Sequence, residues 1–187
     1  MVNTAVAGLA LPHGPLALPE VHEPGYAIWQ LLEAVCDPEI PVLSLRDIGV
    51  LRAVLPGESA WRILITPTYN GCPAISQMQD DIQSCLHQAG YQAEVMTCLS
   101  PAWSSDWITE PGKQKLHAYG IAPPHALSTS SNEKRITWAS ASTQRTVHCP
   151  QCGSANTTET SHFGSTACKA MYTCLSCLEP FDYFKPY

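Results

Sequence analysis

Two Cys-x2-Cys pairs constrain this chain more than any other feature. Cys149-Pro150-Gln151-Cys152 and Cys174-Leu175-Ser176-Cys177 stand on either side of residues 153–173. Each pair suits a tight knuckle that turns both sulfurs toward one point. Four thiolates converging on a tetrahedron suit Zn2+, and the same four sulfurs would also hold iron. Three runs of strand character, near 157–163, 169–173 and 179–184, fall between and after the pairs. The pattern predicts a zinc-ribbon-like module over 148–187 with a structural metal. A module this short buries little core, so its fold should depend on that metal. Cys168 is a fifth sulfur in the same stretch, read either as a structural thiol or as a reactive or alternative ligand.

The first half follows a different plan, organised around Thr66-Pro67-Thr68-Tyr69-Asn70-Gly71-Cys72-Pro73. Trp61-Arg62-Ile63-Leu64-Ile65 before it alternates like a strand. Ile75, Met78, Ile82, Leu86 and Ala89 after it recur at helical spacing. The octet therefore reads as a strand-to-helix turn, with Asn70-Gly71 at the bend and Pro73 opening the helix. Cys72 is then expected at the helix N-cap, where the dipole would favour a thiolate. A plain buried cysteine in a tight turn is the alternative. Thr66, Thr68 and Tyr69 bring hydroxyls to the same turn.

Around this turn, residues 26–35 predict a first helix, ended by Asp37-Pro38-Glu39-Ile40-Pro41. Residues 50–55 and 61–66 predict a hairpin, and 92–99 a third strand. The order α-β-β-α-β gives a small two-layer α+β domain. Asp37 and Glu39 would approach Cys72 if the two helices pack side by side. Trp103 and Trp107 follow the third strand among small hydroxyl residues, read either as a docking surface or as a patch covering the sheet. The expected division is a tail over 1–22, the α+β domain over 23–122, a Ser/Thr/Ala-rich linker over 123–147, and the ribbon over 148–187.

A net charge of −6 and the lack of any Lys/Arg cluster argue against nucleic acid as a partner. No apolar run approaches membrane-spanning length, and no basic, signal-like start is present. A cytoplasmic location is therefore expected, and in a reducing compartment the nine cysteines read as ligands or reactive thiols rather than disulfides.

The residues that carry a family resemblance are Asp37-Pro38-Glu39-Ile40-Pro41, Thr66 to Pro73, Pro101-Ala102-Trp103 and Asp106-Trp107, then Gly120-Ile121, Phe163 to Ala170, both Cys-x2-Cys pairs and Glu179 to Lys185. By these the chain resembles the D-subunit family of bacterial phenylacetyl-CoA ring epoxidases, and its first half resembles the SufT-like iron–sulfur assembly factors. Ser100 stands where that pattern leads one to expect an acidic residue. The resemblance implies an accessory protein without catalysis of its own. It would help mature or repair the di-iron or iron–sulfur centres of a multicomponent epoxidase in phenylacetate degradation. Cys72, Asp37, Glu39 and Thr66 would then handle a transient iron or iron–sulfur species. The partners would be the other epoxidase subunits, with a homo-oligomer left open. The alternative is a structural subunit that docks the oxygenase, through the ribbon and Trp103/Trp107, without transferring metal. An enzyme using Cys72 as nucleophile lacks a histidine close to it in sequence.

Overall fold

The computed structural model describes residue 14 and residues 19–125 and 146–187. The expected tail falls mostly outside the described residues, as do residues 126–145 of the expected linker. The elements run α1 (Tyr26–Leu32), β1 (Leu51–Leu55), β2 (Trp61–Ile65), α2 (Ala74–Gln88), β3 (Ala93–Thr97), α3 (Glu110–Ala118), β4 (Ile121–Ala122), β5 (Thr157–Ser161), β6 (Lys169–Cys174) and β7 (Pro180–Phe184). A single 3-10 turn, Ser105–Trp107, precedes α3.

The expected α+β layer is present. β1 and β2 form an antiparallel hairpin, and β3 lies parallel on the far side of β2, giving the order β1-β2-β3. α2 is the crossover between the two parallel strands. Ile28 and Leu32 of α1 meet Met78, Ile82 and Leu86 of α2 in one core with Ile63 and Ile65 of β2. Burial of such side chains contributes roughly 1.5–3 kcal/mol each. α1 ends earlier than its apolar spacing suggests. Glu33 caps it, and the amides of Ala34 and Val35 turn back to the carbonyls of Leu31 and Leu32.

The sequence pattern separates the ribbon from this domain, whereas their packing is continuous. The second sheet has the order β4-β7-β6-β5. Its β4 comes from the first half of the chain and pairs in parallel with β7, Ile121 opposite Asp182. Phe184, 0% exposed, sits in the same core as α1 and α2. Trp103 packs against Phe184 and Tyr187, with ring centroids 6.0 and 6.3 Å away. The Ser105 amide donates to the Tyr187 carbonyl at 3.1 Å, and the Tyr187 amide returns a bond to Ser105 Oγ at 3.3 Å.

This packing corrects the expected docking role of the two tryptophans. Trp103 and Trp107 are 6% and 5% exposed, so they offer no surface to a partner. The indole of Trp103 donates to the Ile48 carbonyl at 3.0 Å. Trp107 stacks under the guanidinium of Arg52 at 3.7 Å and lies against Gly49. Gly49 has φ +76, and a Cβ there would meet Trp107 at 2.8 Å. Asp47 ties the same loop to α3. It accepts from Thr109 Oγ1 at 2.9 Å and pairs with Lys115. Burial pushes the Asp47 carboxyl up, but the bonds from Lys115 and Thr109 win and hold it below its usual value.

Candidate functional site: a closed cysteine cluster and an open thiol junction

The ribbon brings Cys149, Cys152, Cys174 and Cys177 together. Their sulfurs all lie within 4.8 Å of one another. Cys149–Cys177 and Cys152–Cys174 are 3.7 and 3.6 Å apart. Four sulfurs at tetrahedral corners about 2.3 Å from a metal would be roughly 3.8 Å apart, so the donor set fits a metal ion. The Cys177 amide donates to Cys174 Sγ at 3.4 Å. That bond, ahead of the Ser176 amide, lowers the Cys174 thiol to about 6 against the opposing push of burial. Cys149 and Cys174 are buried, whereas Cys152 is exposed. The cage therefore closes near the surface but is braced from inside.

Cys168 does not belong to this cage. Among the described residues the four-sulfur set leaves it out, and its backbone carries it the other way. The Gly164 amide donates to the Lys169 carbonyl at 2.9 Å, and the Lys169 amide to the Thr166 carbonyl at 3.2 Å. This folds 163–168 into a compact loop. The Lys185 amide donates to the Cys168 carbonyl at 2.9 Å. Cys168 is 8% exposed and packs in the core of the first half. Its sulfur lies 3.0 Å from Thr166 Oγ1.

The strand-to-helix turn forms as expected, shifted by one residue. Pro73 is the N-cap of α2 and Cys72 precedes it. Gly71 takes φ +85, the left-handed geometry that closes the bend. The Cys72 amide donates to the Tyr69 carbonyl at 3.3 Å, and its carbonyl accepts from the Ile75 amide at 3.4 Å. Cys72 is half-buried against the core that holds Cys168. Tyr69 packs against the same core as Cys72. Burial first, then the charge of Cys72, pushes the Tyr69 phenol up to about 12, so it remains a donor. Thr66 is buried, and no partner for its Oγ1 is found among the described residues.

Asp37 and Glu39 take different places. Asp37, 6% exposed, folds its own loop: Oδ1 accepts from the amides of Glu39 at 2.7 Å and Ile40 at 2.9 Å. Burial, the largest influence, raises its carboxyl above the usual value, though both amides and Lys169 pull it down. Glu39 is exposed. Burial also pushes the Cys168 thiol up; Thr166 lowers it, and the charges of Asp37 and then Cys72 raise it. Tyr187 feels the charge of Cys168 too, after burial, and its hydroxyl donates to the Ala167 carbonyl at 3.0 Å. Cys168 thus lies in the core against which Cys72 and Tyr69 pack, and the Tyr187 hydroxyl bonds the carbonyl of its neighbour Ala167. Local sequence does not reveal this neighbourhood. The one signal it offers is a fifth ribbon cysteine not needed for four-coordinate metal.

Comparison with known proteins places both regions. A D-subunit of Escherichia coli (strain K12), named "Putative 1,2-phenylacetyl-CoA epoxidase", is 44% identical over 171 residues, covering 91% of this chain and 95% of that protein. The chain belongs to this D-subunit family. Residues 26–95 match the model of the iron–sulfur cluster assembly protein family, and residues 133–185 that of the PaaD zinc beta ribbon domain. The first match contains Asp37, Glu39, Thr66 and Cys72, the second the four ribbon cysteines and Cys168. Among solved structures, a DUF59 domain from Bacillus anthracis aligns at 26% identity, covering 48% of this chain and 88% of that one, with a TM-score of 0.44. A Mycobacterium tuberculosis protein associated with [Fe–S] complex assembly and repair aligns at 29% identity, covering 57% and 98%, with a TM-score of 0.31. By the two family models, this chain joins an iron–sulfur assembly region to a zinc beta ribbon domain. No helix among the described residues is long and apolar enough to cross a membrane.

Proposed function

We propose that this protein is a maturation or repair factor that handles iron or an iron–sulfur species for the metal centres of a phenylacetyl-CoA epoxidase. One observation carries the reading: in a region matching the iron–sulfur assembly family, the half-buried thiol of Cys72 stands at the turn into α2, against the core. A thiol in such a place is a soft ligand that an incoming metal can reach. The ribbon metal is zinc in this reading, held by Cys149, Cys152, Cys174 and Cys177 for structure. Its partners are the other epoxidase subunits, in the reducing environment of the cytoplasm, where all nine cysteines stay free.

Co-expression of the oxygenase with Cys72→Ala tests the reading. The variant is expected to form the complex while the purified oxygenase loses iron. An oxygenase that keeps full iron but fails to bind the variant would instead favour a docking role. Full iron with normal assembly would overturn the maturation role.

A further inference from the structure

We propose that a cleft on the face of the ribbon sheet binds a small carboxylate with a ring-sized apolar body, held through the ammonium of Lys185. The inference is independent of Cys72 and of the metal-handling reading. It starts from one lysine whose charge its neighbours do not cancel. Among the described residues, Lys113 faces Glu110 at 2.6 Å, Lys115 faces Asp47, and Lys169 faces Asp182 at 3.3 Å. Lys185 is 8% exposed, yet among the described residues no carboxylate pairs with it. Its Nζ donates to the His162 carbonyl at 3.1 Å and lies over the Phe163 ring at 4.4 Å. An ammonium carries three donors, and one carbonyl answers only one of them. A carbonyl and a ring face ease the burial of a cation but leave its charge uncancelled.

This lysine lines a cleft of about 710 Å3. Its other walls include Tyr172, Tyr183, Tyr187, Val147 and Ala170. Sheet register places them together: Ala170 of β6 stands opposite Tyr183 of β7, and the Tyr172 and Tyr183 rings meet edge to face at 5.5 Å. Aromatic walls with few polar groups are the usual make-up of a site for a small organic ligand. Glu159 and His162 also line the cleft, but they are already engaged. Glu159 Oε2 accepts from the Tyr172 hydroxyl at 3.1 Å, and Oε1 lies 3.2 Å from His162 Nδ1. Lys185 is thus the group left to take an anion. With one carboxylate already in the cleft, a single negative charge suits it better than the two of a phosphate. A ring can lie against the tyrosines while its carboxylate meets the ammonium. Lys185 directly follows Phe184, and its amide donates to the Cys168 carbonyl at 2.9 Å. The ligand would therefore bind beside the joint between the halves, and by mass action it would stabilise the folded protein.

The test is calorimetric titration and thermal unfolding of the zinc-loaded full-length protein with three probes. Phenylacetate carries ring and charge, acetate the charge alone, and phenylacetamide the ring alone. Phenylacetate is expected to bind once per chain and to raise the melting temperature. Acetate and phenylacetamide should each bind at least about tenfold more weakly. Lys185→Met keeps the apolar stem and removes the ammonium, so it should weaken phenylacetate at least about tenfold while the ribbon keeps its zinc. Lys113→Met, at an ion pair away from the cleft, should bind as wild type does. Unchanged phenylacetate affinity in Lys185→Met, or phenylacetamide binding as tightly as phenylacetate, would overturn the role of the ammonium. Inorganic phosphate binding more tightly than phenylacetate would contradict a monoanion with an apolar body. No heat and no melting shift with millimolar phenylacetate would overturn the cleft as a ligand site. Should Lys185→Met not fold, Thr158→Trp decides, because it fills the cleft from an exposed strand position. Loss of phenylacetate binding with zinc retained is expected, and wild-type binding would contradict the site.

Discussion

The molecule holds cysteines in two contrasting ways. In the ribbon, four sulfurs from two short knuckles close on one point, and backbone amides brace them. Outside it, Cys72 is a single half-buried thiol at the turn into α2, packed with Tyr69 against the core that buries Cys168. The difference is between holding and passing. A saturated tetrahedron has no open position, so its metal stays and stabilises the fold. A partly buried thiol outside such a cage, as Cys72 is, could accept a metal and release it in the proposed role. The two are physically joined, because β7 pairs with β4 and Phe184 fills the first core. A metal held there would thereby support the sheet whose β6 begins just after Cys168.

The strongest way to break this contrast is to open the cage. Cys174→Ser should release the ribbon metal, whose binding in comparable sites supplies on the order of 10–16 kcal/mol. Because the cores are continuous, the loss should reach the first half and lower its unfolding midpoint. Thermal unfolding with metal analysis checks this. An unchanged midpoint for residues 24–120 would instead mean two independent units. Phe184→Ala attacks the joint while sparing every cysteine. A cost of about 3–5 kcal/mol is expected in urea unfolding, with the ribbon metal retained.

Smaller changes sharpen the junction. Asp37→Ala should cost about 1–3 kcal/mol, because it leaves the Glu39 and Ile40 amides without their acceptor. Asp37→Asn keeps an oxygen for them and removes the buried charge. The carboxyl of Asp37 is raised by burial from 3.8, so wild type is least penalised below that pH. As pH rises from 3.8 through the higher folded value, wild type should lose stability relative to Asp37→Asn. Melting temperatures of both proteins across that range would show it, and a gap that does not change with pH would contradict a charge burial cost. Glu39→Gln is exposed and should stay within about 0.5 kcal/mol of wild type in equilibrium unfolding.

The ribbon was legible because its ligands are local: spacing alone brings each pair to a knuckle, and only one meeting of the knuckles remains to be guessed. The turn at Cys72 was legible for the same reason, through Asn70-Gly71 and the period of α2. The junction was not, since nothing local ties Cys168 to Cys72. β4 is two residues long, too short to show alternation, yet it adds a strand from before the expected linker to the ribbon sheet. Trp103 and Trp107 stay open in sequence between a docking surface and a covering patch, because their neighbours are small and hydroxylated. Ser104 and Ser105 instead bond the 3-10 turn and Tyr187, which buries the rings. Asp37 and Glu39 look equivalent by spacing, but the Asp37 side chain folds the loop on itself and leaves Glu39 outside.

The division between holding and passing metal is tested most directly by following isotopically labelled iron. The zinc-loaded protein, charged anaerobically with labelled Fe2+, is mixed with iron-depleted oxygenase, and both proteins are analysed for metal. Label should move to the oxygenase while the ribbon keeps its zinc, and Cys72→Ser should pass almost none. Equal transfer by Cys72→Ser, or zinc leaving the ribbon as iron moves, would contradict it.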